Sequence, residues 1–327
     1  MACMVSRLCR GWFAFAGALA ISVATPSAHA DVTAAMVLPE TTPPPPPPPP
    51  TPLRPKTLFG VPRCTSQQLC WSPSFNRMDW PEVVLTAVAG GVALATNIIH
   101  PLNTGWTGGV LFDDDVRKLR LGTIDAQYEA RSASDLGLAI MVTYPILVDS
   151  LIVAYWYRGS ADVGLQMGLI DMEAFAIVGA IEGATNIFTA RARPYSAECG
   201  VTRPANTADC ETDALNRSFF SGHTAMAFTS AALICAHHEA LHLFDSGWDH
   251  VMCASGFVAA SSIGLLRILG DAHYFSDVFV GALVGTTVGL TIPLLHHYGG
   301  HGPQSKPPAV RVNLVPTGAG GAIVGTF

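Results

Sequence analysis

Leu266-Arg267-Ile268-Leu269-Gly270-Asp271-Ala272-His273-Tyr274-Phe275-Ser276-Asp277 is the stretch on which the reading of this chain turns. It joins two apolar blocks, about 249–269 and 275–295, and sets Arg267, His273 and Asp277 six and then four residues apart. A helix beginning near His273 would carry Asp277 on the same face, one turn on. A carboxylate there accepts the proton on one imidazole nitrogen, leaving the other nitrogen unprotonated and aimed outward. That is the state a nucleophilic imidazole requires. Standing alone, the same pair also reads as a helix cap.

Outward from this stretch, apolar residues come in six blocks, about 82–99, 136–157, 164–190, 222–244, 249–269 and 275–295, separated by short polar breaks. Blocks of that length, without sustained alternation, predict six helices and no substantial sheet, an all-α bundle. Asp149, Asp171, Glu173, Glu182, His237, His238 and Glu239 fall in mid-block. Each would cost at least a few kcal/mol at the centre of a bilayer unless paired. A membrane-embedded bundle and a soluble or peripheral one therefore both remain open on the sequence.

Two upstream segments carry matching chemistry. Ser221-Gly222-His223 precedes an apolar block, so Ser221 and the following amides would sit at a helix N-terminus, where unsatisfied N–H groups and the dipole favour an anion. Arg193-Pro194 closes the block before it, and the planar guanidinium of Arg193 suits two phosphate oxygens at once. Read in order, the three segments resemble K-x6-R-P, P-S-G-H and S-R-x5-H-x3-D, the pattern of the type 2 phosphatidic acid phosphatase/vanadium haloperoxidase superfamily.

The resemblance covers 186–277 and implies a six-helix bundle of that kind. It implies a metal-independent phosphatase without a cofactor, in which His273 attacks phosphorus, Asp277 orients it, and His223 protonates the leaving alkoxide. Arg193, Arg267, Ser221 and Gly222 would hold the phosphate, with Asn186 donating a hydrogen bond to it without bringing charge. Three positions depart from the pattern: Asn186 stands where the family has lysine, Phe220 where it has proline, and Leu266 where it has serine. Losing one charge-assisted contact costs about 1.5 to 3 kcal/mol. In a transition state that is about 10- to 100-fold in rate. Arg191, Arg203 and Arg217 are the candidates to compensate.

The front of the chain reads as an export signal. Arg7 and Arg10 precede an apolar run, Gly11 to Ala24, and Ala28-His29-Ala30 forms a small-x-small site, so cleavage is expected after Ala30. An uncleaved anchor is the alternative. Residues 31–56 include eight consecutive prolines, Pro43 to Pro50, and read as a stiff spacer. The folded domain is expected over 57–300, and 301–327 as a tail or short β-ribbon. Export places the domain in the cell envelope, facing the periplasm, with Cys64 to Cys70 and Cys199 to Cys210 as plausible disulfides. Cys235 and Cys253, in apolar blocks, read as small buried side chains.

With Lys plus Arg at 18 and Asp plus Glu at 24, the balance gives no reason to expect nucleic acid. The expected partner is a phosphorylated lipid, or a small soluble phosphomonoester, at or in a membrane; oligomeric state is not legible. Three rival functions remain. A vanadium-dependent haloperoxidase would use the same cradle, and a non-catalytic phospholipid-binding relative is motivated by Asn186. A zinc hydrolase is suggested by His238-Glu239-Ala240-Leu241-His242, which matches H-E-x-x-H.

Overall fold

The computed structural model describes residues 69–101, 105–211, 213–244 and 247–299, and the backbone of 311–317 and 320–326. The export signal, the proline spacer and Cys64 lie outside these residues. Six helices make up the bundle: α1 (Trp80–Ile98), α2 (Ile124–Thr143), α3 (Ala161–Thr189), α4 (Gly222–Leu241), α5 (Trp248–Leu269) and α6 (Phe275–Thr291). Two of them run on as wider π-type turns, α2 through Tyr144–Tyr157 and α6 through Ile292–His297. A two-stranded antiparallel hairpin follows, β1 (Arg311–Thr317) and β2 (Gly320–Thr326), with Arg311 opposite Thr326.

Local signals start and stop these helices. Asp79 and Glu82 form a reciprocal capping box on α1, Thr123 caps α2 and Ser160 caps α3 through side-chain oxygens, and Ser221 does the same for α4. The helix ends at Ala190 and His242 are left-handed, with φ of 42° and 48°.

Helix α4 is the axis of the bundle, buried along most of its length, with α6 and α5 as its main neighbours. Close approach of α6 depends on glycine. A Cβ at Gly285 would fall 2.1 Å from the carbonyl oxygen of Ala225, and one at Gly281 would fall 2.7 Å from that of Ser221. The absent side chains let α6 lie on the α4 backbone and fix the height of Ser221 against Asp277, whose carbonyl accepts from Ser221 N at 3.1 Å.

The bundle is all-α. Among the described residues, five helical segments are long and apolar enough to cross a bilayer: Trp80–Ile98, Ile124–Tyr157, Ala161–Glu198, Trp248–Leu269 and Phe275–His297. Their outward faces expose Val84, Val88, Leu94, Leu136, Val258 and Phe279, a surface suited to lipid. Because successive helices alternate in direction, Trp80, Trp156, Tyr157 and Trp248 gather at one end of the bundle, all exposed, an arrangement suited to a membrane–water interface. Two of the mid-block carboxylates are buried against histidines: His237 Nε2 lies 2.8 Å from Asp171, and His297 Nε2 lies 3.2 Å from Glu173.

Three features differ from the sequence reading. Helix α2 starts at Ile124, not near 136, because its first turns turn polar side chains, Gln127, Arg131 and Ser134, into the protein rather than apolar ones. Helix α6 starts at Phe275, with Tyr274 as its N-cap, so His273 lies in the preceding turn and not on the helix. Cys235 and Cys253 are not separate buried thiols; they are joined, linking α4 to α5. The expected Cys199–Cys210 bridge is formed, and Cys70 is disulfide-bonded.

Candidate active site

The site lies where α4 and α6 begin and α3 and α5 end. Its position rests on a turn, Gly270 to Tyr274, that the chain holds from three sides. Asp271 is left-handed, φ 55°, and Arg117 grips its carboxylate with two bonds of 2.8 Å. Arg131 donates to the Gly270 carbonyl at 2.6 Å while lying over the Tyr195 ring at 4.4 Å. The Ala272 amide returns to the Arg267 carbonyl at 3.0 Å.

Within this turn His273 is buried, and its Nδ1 bonds the carbonyl oxygen of Ser218 at 2.8 Å. A carbonyl only accepts, so Nδ1 carries the proton and Nε2 holds the lone pair. Burial, then the fields of Arg193, Arg267 and His223, holds the ring well below its usual pKa, so the imidazole is neutral.

Asp277 stands 3.8 Å from His273 Nδ1. Its oxygens meet other groups: the Tyr274 amide at 2.9 Å, the Ser218 hydroxyl at 2.6 Å, and the Arg191 guanidinium. Because His273 precedes the helix, the four-residue spacing does not stack it over Asp277. The carboxylate acts on it through Ser218, whose hydroxyl it binds and whose carbonyl orients the ring.

Arg191 locks this arrangement. It is fully buried, bonded to Asp113 at 2.7 Å, Ser276 at 2.8 Å and the Gly108 carbonyl at 3.0 Å, and sandwiched between Trp106 and Tyr274. Burial pushes Asp113 up, but Arg191, the Val110 amide and Ser276 outweigh it and hold its carboxyl below the usual range.

Across the site, His223 is the second residue of α4. Its Nε2 lies 2.7 Å from Asp135, and Arg267 donates to that same carboxylate oxygen and to Ser134, both at 3.0 Å. Burial first, and Arg267 next, lower His223 to about 4 against the pull of Asp135. Asp135 went unread because it falls before the apolar block; Gln127, Arg131 and Asp135, each one turn after the last, form a polar helical face that the spacing does reveal. Ser218, whose role is carried by a backbone carbonyl, left no such signal.

Asn186 is buried where the motif places lysine, and its amide donates to Glu182 at 2.6 Å. Of the compensating arginines, Arg191 is committed as above, and Arg203 to Asp209 at 2.8 Å and Gln127 at 2.7 Å. Arg217 donates to the carbonyls of Thr96 and Ile99, at the end of α1.

The H-E-x-x-H segment lies at the other end of α4, about 22 Å from His223 at about 1.5 Å per residue. Its parts diverge. His238 is buried on Asp249 at 2.7 Å, Glu239 is exposed and pairs with His250 at 2.6 Å, and His242 is the exposed residue that ends the helix. Among the described residues, no three His, Cys, Asp or Glu side chains are grouped to hold a metal.

Comparison with known proteins bears on these residues directly. The model of the PAP2 superfamily matches residues 169–300, which include all three motif segments. The lipid A 1-phosphatase of Porphyromonas gingivalis is 29% identical over 178 residues, 54% of this chain and 33% of that protein. Lipid phosphate phosphatase 1 of Arabidopsis thaliana is 26% identical over 198 residues, 54% of this chain and 59% of its own length. The chain thus spans less than two thirds of either relative. A solved transmembrane PAP2 type phosphatidylglycerolphosphate phosphatase from Bacillus subtilis aligns over 65% of this chain and 91% of its own, at 16% identity and a TM-score of 0.35.

Proposed function

The chain belongs to the PAP2 superfamily, and we propose that it hydrolyses a phosphate monoester of a membrane lipid through a phosphohistidine on His273, without a metal. The observation that carries this reading is the bond from His273 Nδ1 to the Ser218 carbonyl. It leaves a neutral imidazole with its Nε2 lone pair available, among Arg193, Arg267 and His223.

In the first step Nε2 attacks phosphorus and the bond from phosphorus to the ester oxygen breaks. His223 gives its proton to the departing alkoxide, which leaves as an alcohol. In the second step His223 takes a proton from water, the water oxygen attacks the phosphohistidine, and inorganic phosphate leaves with His273 restored. Arg193, Arg267 and the amino end of α4 stabilise the charge on the transferring oxygens, which is the main task of a phosphoryl-transfer site. Asp135 ties His223 to Arg267, so the acid and one phosphate-binding cation are positioned together.

The five bilayer-length segments and the lipid phosphatases among the relatives support a lipid substrate. The export signal and the Cys199–Cys210 bridge beside the site support a site facing the periplasm. The test is rapid quenching under alkaline conditions during turnover of a short-chain phosphatidate, followed by peptide mass analysis. Phosphate on His273 is expected; turnover with no modified histidine, or with the phosphate elsewhere, contradicts the mechanism.

A further inference from the structure

Glu182 and Asn186 lie one turn apart on α3, and the buried Asn186 amide holds one Glu182 carboxylate oxygen at 2.6 Å. The other end of that amide, Oδ1, is buried without a hydrogen-bond partner among the described residues. The carboxylate rests on Gly222, the first residue of α4: a Cβ there would fall 2.7 Å from Glu182 Oε1. Glycine at 222 therefore leaves room for a negative group beside the helix end that serves as the anion cradle. Asn186 fixes that group and, being an amide, leaves its charge intact.

The charged groups that act on Glu182 are Arg217 and Arg193. Arg217 is bonded to the carbonyls that end α1, and Arg193 belongs to the cradle itself. On α4 the nearest ionisable neighbour of Gly222 is His223, and from α1 the contact is the uncharged Thr96, packed on Gly183. The Glu182 carboxyl thus shares Arg193 with the bound phosphate. We propose that Glu182 is a specificity-determining residue that admits a single phosphate and turns away an ester bearing a second, adjoining one. This deepens the phosphatase reading and rests on it. One phosphate is compensated by Arg193, Arg267 and the helix end, whereas the extra charge of a diphosphate meets the Glu182 carboxyl, which already shares Arg217 and Arg193.

The test measures binding of inorganic phosphate and of pyrophosphate to the full detergent-solubilised chain by titration calorimetry, so that it needs no turnover. Glu182→Gln keeps the shape and the contact to Asn186 and removes the charge. It is expected to shift the ratio of the two affinities about tenfold toward pyrophosphate, the size of one partly screened like-charge contact. Asn186→Lys, which neutralises Glu182 in place, is expected to shift it the same way, and Glu239→Gln at the far end to leave it within twofold. Unfolding of Glu182→Gln, read by melting temperature, leaves Asn186→Lys to decide. A ratio unchanged within twofold in the folded variants overturns the assignment. Ester hydrolysis measured alongside separates the two claims. A shifted ratio without turnover contradicts the phosphatase, and turnover with an unshifted ratio contradicts the role of Glu182.

Discussion

The two ends of α4 use the same residue types for different purposes. At its start, His223 and His273 lie among Arg193 and Arg267, and His273 spends one nitrogen on a backbone carbonyl, which leaves the lone pair on the other. Toward its finish, His237 spends both nitrogens, on Tyr298 at 2.7 Å and Asp171 at 2.8 Å, while His238 lies 2.7 Å from Asp249 and 3.4 Å from Asp149. Arginines act on both histidines of the first pair, with Asp135 the one carboxylate bonded to His223, whereas carboxylates face both histidines of the second. The lesson is that a buried histidine is reactive or structural according to what its second nitrogen meets, and spacing in the sequence does not report that.

The sharpest way to break this comparison is to remove one histidine from each end. His273→Ala should lower turnover about 10⁴-fold or more, the scale of losing a covalent nucleophile, with little change in melting temperature. His237→Ala should leave turnover per folded molecule near that of the parent. By stranding Asp171 it should destabilise the fold by about 3–5 kcal/mol, read from chemical or thermal unfolding. Equal loss of activity at both ends would erase the distinction.

Next in size is the acid. His223→Ala should cost about 10²- to 10⁴-fold in turnover, the usual share of general acid catalysis. Because burial and Arg267 hold His223 down at about 4, its acid form is lost as pH rises, so kcat/KM should be acid-favoured. Asp135→Asn removes the anion that favours the protonated ring. The profile should move further to acid, and kcat/KM at neutral pH should fall about tenfold for each pH unit that it moves. A profile unmoved by Asp135→Asn would detach Asp135 from His223.

Asp113→Asn sharpens the contrast between lock and site. It breaks one arm of the buried Arg191 cluster and should cost about 3–5 kcal/mol of stability. Since the folded carboxyl of Asp113 is held below its usual range, its contribution is present above the ordinary carboxylate pKa and lost as pH falls through the lowered one. The stability gap between variant and parent should therefore narrow on acidification. Smallest of all, Glu239→Gln should change stability by no more than about 0.5 kcal/mol, the usual range at an exposed position, and should leave activity alone.

The helices and the order of the motif were legible because both are written in local patterns. Long apolar blocks fix five of the six helix starts to within a few residues, and α2 escaped because its first turns face a polar interior. Arg193, Ser221, His223, Arg267 and His273 were named from the resemblance that their three motif segments carry in order. What could not be read were contacts between segments distant in sequence: the Ser218 carbonyl on His273, Asp113 on Arg191, Asp135 on His223. The H-E-x-x-H match shows the reverse error, since its spacing is right but the last turn of α4 reaches the surface, leaving His238 buried and Glu239 and His242 exposed. The Cys235–Cys253 link likewise depends on how α4 and α5 meet, which neither helix encodes alone.

The most direct test of the central claim is phosphate release from an aryl phosphate and a short-chain phosphatidate by the full chain in detergent, with chelator, with and without vanadate, beside His273→Ala. Histidine chemistry predicts release that survives chelator, falls with vanadate and vanishes in the variant. No release by well-folded protein, or release that persists in His273→Ala, would contradict it.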